Sequence, residues 1–229
     1  IPEARKYLLE KNILPKKEVS NKVFHISNGF DGKTFKENKL KYSYYDYDFE
    51  KNKDKIIVTY IGSIRIANRV DELLKLAIRV GLENENVVFF VFGSGSELPK
   101  IKHELEKNNC TNLILKGKVD KKFVPSILEK SNFGYFYFEK TTLLKYGLSL
   151  NKLFDYVGSQ IPFITNLEYS DLKNVPKQFI INQNRIDWKN LTYESTNLKN
   201  YSIKIDERIS QFDYGKLTLK LKDIIEKDI

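Results

Sequence analysis

The sequence predicts an α/β protein, a doubly wound, Rossmann-like parallel sheet with helices on both faces. Three observations carry that prediction. Near-continuous apolar runs recur at Ile56–Ile61, Val87–Phe92, 113–115, 135–138, 162–164 and 179–181, the pattern of strands buried on both faces. Their starts lie 31, 26, 22, 27 and 17 residues apart, intervals that mostly suit a crossover helix. The intervals also carry helical stripes: Val70, Leu73, Leu74, Ala77 and Val80; Leu98, Ile101 and Leu105; Val124, Ile127 and Leu128. Right-handed crossovers follow.

Taken in order, residues 1–12 have helical spacing (Ala4, Leu8, Leu9) and break before Pro15. Residues 22–27 are a short apolar segment, and Asn28-Gly29-Phe30-Asp31 is a strong turn signal. Residues 33–55 are polar and tyrosine-rich, with Tyr42, Tyr44, Tyr45 and Tyr47 close together, and read as a linker draped on the following domain. Basic residues mixed with aromatics also stack single-stranded nucleic acid, but Asp46, Asp48 and Glu50 interrupt this run and no RNP-type motif surrounds it. After Asn182 the sheet signal fades. Residues 187–200 are polar, and 201–212 and 214–229 read as amphipathic helices, the second with Leu217, Leu221, Ile224 and Ile225.

A hydrophobic content of 41% with 30% charged residues over 229 positions is that of a soluble globular chain with a sizeable core. No run approaches a membrane-spanning length, and no signal peptide opens the sequence. The single Cys110 forbids an intrachain disulfide and fits a reducing compartment. The chain opens at Ile1 and has no methionine, so a segment upstream is expected to have been removed. A net charge of +9 suits an anionic partner: nucleotide phosphates, lipid headgroups or nucleic acid.

Ligands of an open parallel sheet bind beyond the carboxyl ends of its strands, so three strand ends are of interest. In Tyr60-Ile61-Gly62-Ser63-Ile64-Arg65-Ile66-Ala67-Asn68-Arg69, Gly62 lets backbone approach a phosphate, and Arg65 and Arg69 fit either a phosphate contact or a plain surface charge. Asn68 reads as a helix N-cap with Asp71 three residues on. In Phe92-Gly93-Ser94-Gly95-Ser96-Glu97 the third glycine of a dinucleotide fingerprint is replaced by Leu98, and Ser94 with Glu97 reads as a capping box. The third end is Leu115-Lys116-Gly117-Lys118-Val119. Glu139 and Lys140, past the fourth strand, fit a pocket or a surface role. His25 reads as a core or interface histidine and His103 as a surface one, and no Cys/His cluster has metal-ligand spacing.

Residues 145–165, KYGLSLNKLFDYVGSQIPFIT, gather the remaining signals. Leu150, Leu153, Phe154 and Val157 fall at i, i+3, i+4 and i+7, so one face of a short helix is apolar. Lys152 and Asp155 land on the opposite side, where spacing alone suits a solvated surface ion pair. Gly158 ends the helix before a short buried strand around Pro162-Phe163-Ile164.

This stretch resembles the donor-site helix of GT-B glycosyltransferases of the family-4 type (glycosyltransferase group 1), in which Ser-x-x-Lys-Leu-x-Glu/Asp-Tyr runs into a glycine turn and a Pro-Val/Phe-Ile strand. KVFHISNGFDGKTF is similar to that family's interdomain hinge, and the three strand ends resemble its donor loops. The resemblance is close over about residues 22–165 and loose beyond. It implies the C-terminal half of a GT-B fold: residues 1–50 as the tail of a missing N-terminal domain plus hinge and linker, and 51–229 as a nucleotide-sugar-binding domain with C-terminal helices packed back across the junction.

By the same resemblance, Lys152 partners the pyrophosphate leaving group and Asp155 accepts the ribose hydroxyls, the two being the catalytic candidates. Gly62, Ser63, Arg65, Arg69, Gly93, Lys118, Val119, Ser149 and Leu153 complete the donor site, with the backbone of Lys118 and Val119 reading the base. Two departures stand out. Ser63 and Asn68 occupy the positions of the family's phosphate-clamping arginine and lysine, and Gly147 that of its first acid. The implied function is donor binding in a retaining hexosyltransferase acting on a glycan or lipid-linked acceptor in polysaccharide assembly. The expected setting is cytoplasmic, at the inner membrane face where peripheral association occurs, with no cofactor, metal or nucleic acid. A nucleotide-sugar 2-epimerase-like enzyme and a non-catalytic nucleotide- or nucleic-acid-binding module are the alternatives.

Overall fold

The structure, a computed structural model, describes residues 2–148, 150–172, 175–196 and 210–227. Its centre is a six-stranded sheet with the order β3-β2-β1-β4-β5-β6, every pairing parallel. The strands are β1 Ile56–Ile61, β2 Val87–Phe92, β3 Leu113–Gly117, β4 Phe133–Tyr135, β5 Phe163–Thr165 and β6 Ile180–Asn182. Helices α5 Val70–Glu83, α6 Leu98–Lys107, α7 Val124–Glu129 and α8 Asn151–Gly158 alternate with them. The order turns back between β1 and β4, which places the topological switch point there. This is the predicted fold class.

Burial follows the sequence pattern. All six residues of β2 are buried, as are Val70, Leu73, Leu74, Leu76, Ala77 and Val80 of α5. Each of these side chains except that of Ala77 contributes about 1.5–3 kcal/mol on removal from water. The fourth strand is earlier than expected: the ladder takes Phe133 and Gly134, opposite Val58 and Thr59, and the apolar run at 136–138 continues past it. That continuation stays ordered because the Phe136 amide donates to Ile164 O (3.1 Å) and the Phe138 amide to Asn166 Oδ1 (3.0 Å).

The helix expected over residues 1–12 is α1 Ala4–Glu10, and the first third adds three that its polar sequence does not predict: α2 Lys16–Lys22, α3 Gly32–Lys41 and α4 Tyr47–Lys51. Caps explain two of them. Asp31 accepts from the Thr34 amide at 2.8 Å and Asp46 from the Asp48 amide at 2.9 Å, each meeting a donor that the first helical turn leaves unpaired. Phe49 stacks on Phe90 at 4.4 Å, Tyr44 packs edge-on to Phe92 and Phe123, and Lys116 of β3 bridges Asp46 (2.6 Å) and Asp48 (2.7 Å). Tyr42 and Tyr44 serve packing here, whereas Tyr45 and Tyr47 are exposed.

Helix α9, Tyr214–Lys227, returns to the turn at Asn28–Asp31. The Phe30 amide donates to Phe212 O and the Tyr214 amide to Phe30 O, both at 3.0 Å. Most of the helix expected at 201–212 lies outside the described residues. Among the described residues no helix is long and apolar enough to cross a membrane, and no cluster of His, Cys, Asp and Glu could hold a metal ion. Cys110 is half-buried, which raises its thiol pKa, as suits an inert cysteine.

Candidate functional site

Helix α8 lies over the switch point, and Tyr156 is what fixes it there. The Tyr156 hydroxyl, fully buried, reaches Tyr135 O (2.8 Å) on β4 and Thr59 O (3.3 Å) on β1. Space for the ring comes from Gly134, where a Cβ would stand 2.6 Å from it. Leu153, Phe154 and Val157 are buried as well, Leu153 and Val157 in the same core cluster as Tyr156. The apolar face of α8 therefore extends through Tyr156, and Lys152, one turn before it, shares that direction instead of facing solvent.

Lys152 is half-buried at the tip of β1. Its ammonium sits 4.6 Å from the centre of the Tyr60 ring and donates to Asn68 Oδ1 (3.0 Å) and Tyr60 Oη (3.4 Å). Among the described residues no carboxylate pairs with it. The surface ion pair with Asp155 that spacing suits is not formed. Desolvation lowers its pKa from the ordinary 10.5 to about 8. Asp155 is also half-buried, and among the described residues its carboxylate has no hydrogen-bond partner. Burial raises its pKa, and Lys121, just past β3, pulls it back. A cation and a carboxylate, neither neutralised by a neighbour in contact, thus flank the carboxyl ends of the sheet.

The two arginines of the loop after β1 differ in their surroundings. Arg69 has a left-handed backbone (φ 46°), and its guanidinium is held by Asp71 (3.0 Å), Glu72 (2.7 Å) and Glu139 (2.7 Å). Its charge is matched, so it serves as a local tie, and Glu139 is its partner. Arg65 is exposed, and so is Lys140. Asn68 does not cap α5: the cap position is Arg69, with no side-chain bond, because the Asn68 amide is drawn to Ser63 Oγ (2.8 Å) and to Lys152. Ser63 and Asn68, both neutral, are bonded to each other where cations were the family's pattern.

The Gly-x-Gly after β2 has a packing cause. A Cβ on Gly93 would lie 1.8 Å from Gly62 O, and one on Gly95 2.1 Å from Ile64 O. The two loops are laced together, with the Ile64 amide donating to Ser94 O (2.9 Å) and the Glu97 amide to Ile64 O (3.0 Å). The capping box is absent: Glu97 is the cap residue of α6 and no side chain caps that end. Ser94 is occupied by its carbonyl, and Pro99 supplies a helix start that needs no donor satisfied.

Past β3, Lys118 is exposed and Val119 half-buried against the aromatic layer of Phe49 and Phe90. Leu153 is only 2% exposed, so its side chain belongs to the core and any ligand contact there is through backbone. Ser149 lies outside the described residues. Gly147 has φ 90°, and a Cβ on it would lie 2.8 Å from Pro2. The N-terminal segment covers that point: the Glu3 amide donates to Tyr146 O (2.8 Å), and Glu10 takes Lys145 Nζ and the Tyr146 hydroxyl, each at 2.6 Å. His25 lies beside α9, its carbonyl accepting from Lys220, and His103 is exposed on α6.

The residue that spacing could not single out is Tyr60. It reads as strand core, and only the fold reveals that its hydroxyl reaches the Lys152 ammonium. A cavity of about 880 Å³ among the described residues lies at the other end of the sheet, among Phe133, Pro162 and Ile180, which open or precede β4 to β6. It gathers none of the predicted site residues.

No protein-family model matches the sequence, and no curated protein matches it significantly. Solved structures do resemble its fold. A TarM mutant from S. aureus, crystallised with fondaparinux, α-GlcNAc-glycerol and UDP, superposes with a TM-score of 0.63 at 19% identity, covering 96% of this chain and 41% of that one. The pneumococcal O-GlcNAc transferase GtfA, with UDP and GlcNAc, gives 0.55 at 12% identity, covering 96% and 44%. An α,α-trehalose-phosphate synthase (UDP-forming) from Burkholderia xenovorans gives 0.60 at 9%, covering 86% and 50%. The neighbours are GT-B glycosyltransferases, and the chain has the Rossmann-like fold of such a domain. It spans half of their length or less.

Proposed function

We propose that this chain is the donor-binding domain of a retaining glycosyltransferase, taking a nucleoside-diphosphate sugar and serving a glycan or lipid-linked acceptor in polysaccharide assembly. The observation that carries the reading is the pair on α8: an unneutralised ammonium and an unpaired carboxylate at the switch point of a parallel sheet. In transfer, an acceptor hydroxyl oxygen bonds the sugar's anomeric carbon and gives up its proton to the departing diphosphate, while the bond from that carbon to the distal phosphate oxygen breaks and the diphosphate takes the electron pair. Lys152 meets the charge that grows on that oxygen. Asp155 accepts hydrogen bonds from ribose hydroxyls, for which a carboxylate without protein donors is suited. The backbone past β3, at Lys118 and Val119, borders the base, and Gly62 with Gly93 allows close approach of phosphate. Acceptor groups belong to a further domain, cytoplasmic and at the membrane face where the acceptor is lipid-linked.

A second reading is favoured by Gly147. Its positive φ and the proline against it leave no room for an acid, so a domain that binds nucleotide without transfer also fits. The epimerase alternative gains nothing, since no histidine is among the contacts of Lys152 or the groups acting on Asp155 in the described residues.

Thermal shift of the chain against UDP, GDP, ADP and NAD tests the assignment. One nucleoside diphosphate is expected to raise the melting temperature saturably, with the shift lost in Lys152→Ala and reduced in Asp155→Ala. No shift with any diphosphate, or one unchanged in both variants, overturns it.

A further inference from the structure

Among the described residues the Lys152 ammonium is held without a carboxylate, by an amide oxygen and a phenol. Lys152 has three N–H donors. One goes to Asn68 Oδ1 and one toward Tyr60 Oη, which leaves the third unspent among the described residues. The groups that accept from the ammonium both donate to the same residue. The Tyr60 hydroxyl donates to Ser63 O at 2.8 Å, and the Asn68 amide nitrogen donates to Ser63 Oγ at 2.8 Å. With hydrogens of both groups directed at Ser63, the oxygen lone pairs of Asn68 and Tyr60 face the ammonium. Were the Asn68 amide turned over, its N–H groups would point at the cation and its oxygen at a serine that must then donate.

We infer that Ser63, Asn68 and Tyr60 form a neutral rest that keeps the Lys152 ammonium aimed and uncompensated at the tip of β1 to grip the phosphates of a nucleoside diphosphate, with Asn68 as the positioning residue. The inference rests on the donor-site reading above and adds what holds the cation. A carboxylate in place of Asn68 would hold the lysine as firmly but cancel its charge; a neutral rest leaves that charge for the ligand.

The charged and titratable surroundings make the consequence readable. From β1, Tyr60 faces the ammonium, its phenol kept protonated by burial. From the loop, Ser63 and Asn68 are neutral, and the Arg69 guanidinium is tied to Asp71, Glu72 and Glu139. On α8 itself Asp155 lies three residues on, within the field of Lys121. The ammonium therefore loses its proton near pH 8, within reach of a binding assay.

The experiment follows the Lys152 side chain by its ¹³Cε shift against pH in the full chain, and measures UDP affinity calorimetrically across the same range. In the parent chain the midpoint falls near 8, and UDP binds about tenfold more weakly at pH 9 than at pH 7, as loss of one required charge dictates. Asn68→Ala lowers the midpoint further. Asn68→Asp raises it by about one pH unit or more and weakens UDP at pH 7. Ser63→Ala, an exposed substitution that spares the fold, weakens UDP in the same direction by freeing the amide to turn.

A Lys152 midpoint above pH 10, or one indifferent to residue 68, overturns the inference. Saturable UDP binding that ignores both pH and Lys152→Ala overturns it too, while leaving a donor site in place. If the midpoint moves as described and UDP never saturates, the rest stands and the donor reading falls.

Discussion

A lysine ammonium drawn half out of water, with an amide oxygen, a phenol and a ring for company, costs the free fold stability. Because its pKa falls from 10.5 to about 8 on folding, the unfolded chain binds more protons between those values, and stability rises with pH across that window. Lys152→Met is therefore expected to stabilise the free chain at pH 7 by about 1–2 kcal/mol, with the gain shrinking by pH 10. Urea unfolding at the two pH values reads this directly, and a destabilised variant would contradict it. At this scale the sequence was half legible. Lys152 and Asp155 are visible in the spacing of 145–165, but the phenol and amide that receive the ammonium come from a strand and loop more than eighty residues earlier. The reverse holds for Arg69: its residue type suggests a phosphate contact, yet Asp71, Glu72 and Glu139 claim it.

Helix α8 is positioned by a contact of bulk with absence: Tyr156 lies where Gly134 has no side chain. Gly134→Ala places a methyl group in the ring, and is expected to cost about 1–3 kcal/mol and to weaken UDP by displacing Lys152. Tyr156→Phe keeps the packing and loses two backbone contacts, a cost of about 1 kcal/mol with less effect on binding. Denaturant midpoints and UDP titrations of both variants separate the two effects; equal loss of binding would contradict the account. The laced loops give a second contrast. Gly93→Ala is strongly destabilising, whereas Ser94→Ala, which removes no cap, stays within about 0.5 kcal/mol. Strands and long helices were legible because periodicity reports burial. The Gly-x-Gly was legible as special but not as to why, since the partner backbone of Gly62 and Ile64 is remote in sequence. Helices α3 and α4 were missed because capping by Asp31 and Asp46, and aromatic packing under Tyr44, outweigh a polar pattern.

For the whole molecule, the doubly wound parallel sheet was foreseen, because buried parallel strands advertise themselves and right-handed crossovers leave few topologies; the strand order and the place of the switch point, between β1 and β4, come from the structure. The docking of α1 on the Tyr146–Gly147 turn was not foreseen, since it depends on Glu10 meeting Lys145 and Tyr146 across the fold. With half or less of its neighbours' length, this chain is expected to bind nucleotide and to transfer no sugar by itself; sugar transfer from a nucleotide donor by the chain alone would contradict the division of labour. The central claim is spatial, that phosphate binds beside α8 at the carboxyl ends of the strands. Backbone amide shifts on titration with UDP test it most directly. The account predicts perturbations concentrated at Gly62, Ser63, Asn68, Val119, Lys152 and Asp155. Perturbations gathered instead around Phe133, Ile180 and Ile186, at the opposite end of the sheet, would contradict it.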